Sequence, residues 1–281
     1  MPELPEVETV RRGLAAHLPG RHITAVIAPE TEPRWLAWRD QWQRALVGRK
    51  IIAVERRAKF LVLVLSDDLA LVVHLRMTGA LTFAAAATDP PTRFHRVAWT
   101  LDNGELRFSD MRRFGTAEVL TPDTLAARFA GLGPEPLDDA LDAAALRRTL
   151  GTSLVRPIKA ALLDQTRLAG LGNIYADESL HRAGIHPQTP VGALSDHEMI
   201  RLTDAIKAII AGGIAHNGTT FDTEGFRDAF GHPGDNLQHL RVYHRQGQPC
   251  LTCGHDTVVQ VRLAGRSTHF CPTCQPPVGG R

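Results

Sequence analysis

Hydrophobic periodicity divides the chain into a strand-rich first half and a helical second half. Val7, Val10, Leu14 and Leu18 recur at helical spacing behind Pro5, which predicts a helix over 5–18. Pro19-Gly20 stops it. Short β-branched and aliphatic runs follow at 23–27, 51–55, 60–65, 69–75, 96–101 and 105–108. Ser66-Asp67-Asp68 and Asp102-Asn103-Gly104 read as hairpin turns. Strands joined by such short turns predict a β-sandwich. A Gly- and Pro-rich linker is expected at 131–137. The period then becomes helical over 138–150, 157–163 and 200–210, the last behind a Ser195–Glu198 capping box. Another helix runs from Asn173, as its cap, through Ala183. Residues 221–238 are polar and glycine-rich, and read as a long loop. The expected fold class is α+β. An N-terminal helix and β-sandwich fill 1–130, a helical domain 138–240, and a cysteine module 241–281.

Composition adds bounds. With 281 residues and 43% hydrophobic content the chain can bury two cores. It has no apolar run of about 18 residues, so no membrane helix is expected. The amino end is acidic and lacks a leader pattern, which points to the cytoplasm. A monomer is the default expectation. Net charge is only +2, but basic residues cluster at 56–59, 107–113, 241–245 and 262–266. Such clusters suit a solvated face or a phosphate-tracking surface.

Two features carry chemistry. All four cysteines lie in two C-x2-C pairs, Cys250/Cys253 and Cys271/Cys274, with 17 residues between them. Four thiolates at this spacing predict one tetrahedral Zn2+, closed and therefore structural. The second feature is the amino end. Removal of Met1 leaves Pro2 with a secondary amine that titrates near ~8, low enough for a nucleophile at neutral pH. Glu3 and Glu6 lie within one helical turn and are general-acid candidates.

Four segments resemble one family together. They are Pro2-Glu-Leu-Pro-Glu-Val-Glu-Thr9, Asp110-Met-Arg-Arg-Phe-Gly115, Leu162-Leu-Asp-Gln165 with Gly170-Leu-Gly-Asn-Ile-Tyr-Ala-Asp-Glu178, and Gly265-Arg-Ser-Thr-His-Phe-Cys-Pro-Thr-Cys274. In this order they closely resemble the bacterial formamidopyrimidine-DNA glycosylases of base-excision repair. The resemblance implies a β-sandwich, a helix-two-turns-helix domain with a lesion-capping loop at 219–238, and a zinc-finger hairpin. It implies that duplex DNA with oxidised purines or abasic sites is the partner. Pro2 would attack C1′ of the damaged nucleotide, Glu3 would protonate the sugar-ring oxygen, and Glu6 would support the site. Lys59 would contact phosphate beside the lesion. Met77, Arg112 and Phe114 would fill the space left by the extruded base. Asn173 and Arg266 would hold phosphates, with His74 and Tyr243 as further contacts. The sister enzyme endonuclease VIII typically begins Pro-Glu-Gly-Pro, whereas Leu4 stands here. A non-catalytic damage-binding relative could dispense with Pro2 or Glu3, and both are present. Two departures stand out: His244 where the family usually has glycine, and a loop 219–238 that matches poorly.

Overall fold

The computed structural model describes residues 2–28, 41–85, 93–222 and 225–277. Contacts divide the chain into two compact units, 1–130 with 214–237, and 131–213 with 238–281. Among the described residues no helix is long and apolar enough to cross a membrane.

The first unit opens with α1 (Leu4–Ala15), followed by β1 (Ile23–Ile27), β2 (Ile51–Arg57), β3 (Phe60–Leu65) and β4 (Leu69–His74). Then come β5 (Gly79–Ala84), β6 (His95–Leu101), β7 (Glu105–Asp110), β8 (Thr116–Leu120) and α2 (Pro122–Phe129). Helix α1 ends at Ala15 rather than at 18. The Leu18 N–H turns back onto the Leu14 carbonyl at 2.9 Å, so Leu18 stays in the core. The strands form two antiparallel four-stranded sheets, β1-β6-β7-β5 and β2-β3-β4-β8. Core side chains come from both sheets, from Val7, Val10 and Leu14 of α1, and from Trp42 and Leu46 in a helical stretch at 41–46. The inner strands β3 and β4 are apolar almost throughout, whereas edge strand β2 mixes buried and exposed positions. Three elements escape the periodicity. β5 carries two large apolar residues, Leu81 and Phe83; β8 is five residues long; α2 buries none of its residues.

Residues 214–237 pack with this unit, not with the helical one expected. Phe226 and Ala229 join its core, and the Ala229 carbonyl accepts the Phe83 N–H at 2.8 Å. Thr219 and Asp235 pair as an isolated bridge. The long loop is therefore built structure over its described part; residues 223–224 of the expected loop lie outside the described residues.

The second unit contains α3 (Ala143–Leu150), α4 (Ile158–Leu162), α5 (Asn173–Ala183), all but the last two residues of α6 (Asp196–Ala215), β9 (Val259–Leu263) and β10 (Arg266–Phe270). Helix α3 starts later than expected because Asp142 caps it, accepting the Ala145 N–H at 2.7 Å. The Ser195–Glu198 box forms: Glu198 accepts the Ser195 N–H at 2.9 Å. The expected linker is packed. Gly133 N–H bonds the Gln165 carbonyl, and the Pro134 carbonyl accepts the Ala169 N–H, both at 2.9 Å. Helix module and cysteine module share this one unit.

Glu8 ties α1 to its own flank and to β2. Its carboxylate accepts from Arg11 at 2.8 and 2.9 Å, from Arg12 at 2.9 Å and from Arg56 at 3.1 Å. Burial opposes ionisation, but the three arginines outweigh it and hold the carboxyl at about 2. Its contribution to stability is thus complete above the unfolded value of 4.5 and is lost as pH falls towards 2. Glu8→Gln is expected to flatten the stability loss between pH 5 and pH 2 by about 1 kcal/mol, a modest figure because the arginines are partly solvated. Urea unfolding of both proteins at pH 7 and pH 3 checks this.

Candidate active site and zinc centre

Pro2 is buried at the start of α1. Glu3 and Glu6 are each 1% exposed. The Glu6 carboxylate accepts the Glu3 N–H on Oε2 and the Thr219 N–H on Oε1, both at 2.8 Å. One side chain thereby fixes the amino end and clips the 216–220 segment to it. Gly218 makes this possible: its φ is +80°, and a Cβ there would stand 2.9 Å from Glu6 Cγ. Asn236 completes the clip by donating to Thr219 Oγ1 at 2.9 Å.

Lys59 sits in the two-residue turn between β2 and β3, beside Ala58 at φ +52°, and is largely buried. His74 lies across from Phe60 in the β3–β4 ladder and meets its ring edge-on at 4.5 Å. Burial, with the charges of Arg76, Lys59 and Arg128, pushes the imidazole down to about 3, so it is neutral at pH 7. Its Nδ1 accepts the Arg76 N–H at 2.9 Å. The remaining nitrogen, Nε2, carries the proton and is the donor His74 can offer.

Met77, Arg112 and Phe114 come together from two turns. Met77 occupies the β4–β5 turn, and the other two lie between β7 and β8. Met77 is 42% exposed and Phe114 51%. The Arg112 guanidinium touches Met77 Sδ at 3.0 Å and lies 4.9 Å from the Phe114 ring centre. Asp110, 1% exposed, joins the turns from beneath. It accepts from Thr78 Oγ1 at 2.5 Å, Arg112 N–H at 3.2 Å and Gly115 N–H at 2.7 Å. A Cβ on Gly115 would strike Phe108 at 2.3 Å.

In the second unit Gln165 stitches the turn between α4 and α5. Its amide donates to the Leu163 and Leu171 carbonyls and accepts the Gly170 N–H at 2.9 Å. Asn173 is not the cap of α5; Gly172 is. Asn173 instead donates through Nδ2 to the Ser267 carbonyl at 3.0 Å. Lys159 Nζ donates to the same carbonyl at 2.7 Å and to Thr268 Oγ1 at 2.9 Å. Lys159 pairs with Asp177 at 2.6 Å, with side-chain exposures of 1% and 0%. Arg266 is exposed next to Ser267, after a two-residue turn with Ala264 at φ +47° and Gly265 at +76°. Asn173 and Arg266 are thus brought to one hairpin.

The zinc module is gripped by two adjacent acids of α5. Asp177 accepts the His269 N–H at 2.8 Å. Glu178 accepts the N–H groups of Arg241, Val242 and Tyr243 at 2.9, 2.9 and 2.8 Å. Tyr243 packs edge-on against His269 at 4.8 Å. His244 takes φ +61°, which accounts for glycine being easier there. The four sulfurs lie within 4.8 Å of one another, with Cys250–Cys274 at 3.8 Å and Cys253–Cys271 at 3.7 Å. A tetrahedral zinc with bonds of about 2.3 Å spaces its ligands by about 3.8 Å, so the residues fit the ion. Burial and crowding raise the Cys271 and Cys274 thiols. Such a cluster ionises fully only around a cation. With four thiolates the ion is closed, and its role is structural.

Asp110, Lys159, Asp177, Glu178 and Thr219 went unrecognised as organising residues. Lys159 had a signal, as a lone charge in the apolar stretch 158–163; Asp177-Glu178 had one too, inside a helix that is otherwise buried.

Fold and site together define a zinc-stapled, two-unit protein with a buried amino-terminal centre. Family models extend this over most of the chain. The formamidopyrimidine-DNA glycosylase N-terminal domain matches residues 1–117, its H2TH domain 132–224, and the zinc finger found in FPG and IleRS 247–277. The formamidopyrimidine-DNA glycosylase of Desulfitobacterium hafniense is 43% identical, covering 98% of this chain and 100% of that one. That of Desulforamulus reducens is 45% identical, over 98% and 99%. A solved complex of Lactococcus lactis Fpg with DNA containing an abasic site superposes with a TM-score of 0.90 at 36% identity, over 98% of this chain and 100% of that one. The chain belongs to the formamidopyrimidine-DNA glycosylase family.

Glu6→Gln replaces an acceptor-only group with one that also carries donors, leaving the Glu3 or the Thr219 N–H unpaired. It is expected to cost about 1–3 kcal/mol of stability. Denaturant unfolding, with hydrogen exchange at the Thr219 amide as the local readout, checks it.

Proposed function

We propose that this chain excises oxidised purines from duplex DNA and then cleaves the strand at the abasic site, with Pro2 as nucleophile. The observation that carries the reading is the buried amino end: Pro2 and Glu3 at the head of α1, fixed by Glu6. With Met1 removed, the Pro2 amine attacks C1′ and the base leaves with the glycosidic electron pair. Glu3 protonates the ring oxygen as the C1′–O bond opens, which leaves an iminium on Pro2. The iminium is an electron sink. Loss of a C2′ proton expels the 3′ phosphate, and a second elimination expels the 5′ phosphate. No metal takes part, in keeping with the closed zinc centre. Lys59 serves as a cation at phosphate, and His74 as a neutral N–H donor. Met77 and Phe114 form the wedge, and Arg112 faces the orphaned base. Asn173 and Arg266 hold flanking phosphates, and Tyr243 supports the hairpin. The substrate is chromosomal DNA, and the working unit is a monomer in the nucleoid.

Borohydride trapping on a duplex with 8-oxoguanine opposite cytosine tests the reading. The expected result is a cross-link mapped to Pro2. Glu3→Gln lowers base excision by roughly 10²-fold or more, and Pro2→Gly loses most of the cross-link while binding to an abasic-analogue duplex persists. Trapping on a 5-hydroxycytosine duplex alone would overturn the purine assignment. A cross-link at a lysine would overturn the nucleophile.

A further inference from the structure

His181 stands on α5 four residues after Asp177, 6% exposed, with its ring Nε2 3.7 Å from the Sγ of Cys250. A zinc-bound thiolate has no proton, so a ring nitrogen directed at it has to supply one. Four thiolates around Zn2+ carry a net charge of −2, and Cys250 is buried at 1% exposure. A buried anionic centre is stabilised by donors on its sulfurs, as partners outside the ligand set orient and tune a metal site. At Cys250 the backbone offers one donor, the Thr252 N–H at 3.4 Å. His181 is a second donor on the same sulfur, from a different element. It also lines a cavity of about 510 Å³ with Arg182, Arg241, Leu251 and Thr252, the last two being the residues that follow Cys250.

We propose that His181 donates an Nε2–H hydrogen bond to the Cys250 thiolate of the zinc centre, restrains that sulfur's nucleophilicity, and so slows loss of the metal to electrophiles. His181 is a positioning residue here; it does not hold the ion. The bond also makes α5, which begins at the Asn173–Ser267 contact, a direct partner of the first zinc knuckle.

Full-length zinc-loaded protein is challenged with excess N-ethylmaleimide, and released zinc is followed with a chromogenic chelator. In this reaction a thiolate adds to the maleimide double bond and water supplies the proton. The thioether formed no longer holds zinc. His181→Phe keeps a planar ring and removes the donor, and is expected to bind one zinc yet release it about tenfold faster. Mass spectrometry should place the first adduct on Cys250. His181→Gln retains an N–H and should stay near the wild-type rate. In cobalt-loaded protein the thiolate-to-metal charge-transfer band should move to lower energy in His181→Phe and not in His181→Gln. Release at the wild-type rate with an unmoved band would overturn the proposal. The unmutated zinc protein gives an independent check. Long-range proton–nitrogen spectra should show His181 as the Nε2–H tautomer, and an Nδ1–H tautomer would overturn it equally.

Discussion

A buried carboxylate that accepts backbone N–H groups is the device on which both units depend. Glu6 takes the N–H of Glu3 and of Thr219; Asp110 takes those of Arg112 and Gly115. Asp177 takes that of His269, and Glu178 takes three from 241–243. Each acid is at most 2% exposed. Each therefore has to be repaid with strong hydrogen bonds, because an isolated buried charge is far too costly to keep. A hydrogen bond to a charged group contributes about 1.5–3 kcal/mol, roughly twice a neutral one. Several of them on one carboxylate offset part of the desolvation cost and leave a rigid anchor, although at Glu178 burial still holds the carboxyl above its ordinary value. The segments anchored this way are those that carry the chemistry: the amino end, the wedge turns and the zinc knuckle.

The second unit adds a buried ion pair, and its value is geometric. Lys159 with Asp177 contributes little net stability, since desolvation consumes most of the attraction. Its ammonium, however, shares the Ser267 carbonyl with Asn173. That shared acceptor fixes the hairpin at the residue before which Arg266 projects. Zinc acts in the same sense from the far end of the strands. It closes the two knuckles that flank the β9–β10 hairpin, so the exposed Arg266 rides on a strand pinned at both ends.

What the sequence made legible follows from what leaves a periodic or motif signal. Helix α1, six of the eight sandwich strands, the Ser195 capping box and the zinc ligands all have a period or a fixed spacing. β5 and β8 carry only two large apolar residues each, so alternation does not rise above chance. α2 is eight residues long and buries none of them, so its window is too short for a helical period to stand out. The polar, glycine-rich composition of 221–238 predicts a loop. Yet two apolar residues, Phe226 and Ala229, are enough to place it in the first core. By residue type Asn173 suits a cap, whereas Gly172 caps and frees the asparagine amide for the hairpin.

The organising acids were the hardest to see, and the reason is chemical. A buried aspartate differs from a surface one only in its partners, and those partners are backbone groups with no sequence identity of their own. Glu6 meets Thr219 across 213 positions, and Glu178 meets Val242 across 64. An asparagine or glutamine at these places would present an amide donor to an N–H and leave one of them unsatisfied. A carboxylate, with two oxygens and no donor, can take N–H groups on either oxygen from converging segments. The acid is therefore dictated by tertiary structure, while the functional residues it holds are dictated by chemistry. The resemblance motifs 2–9, 110–115 and 170–178 contain both kinds, which is why each motif binds a clamp and its load into one short stretch of chain.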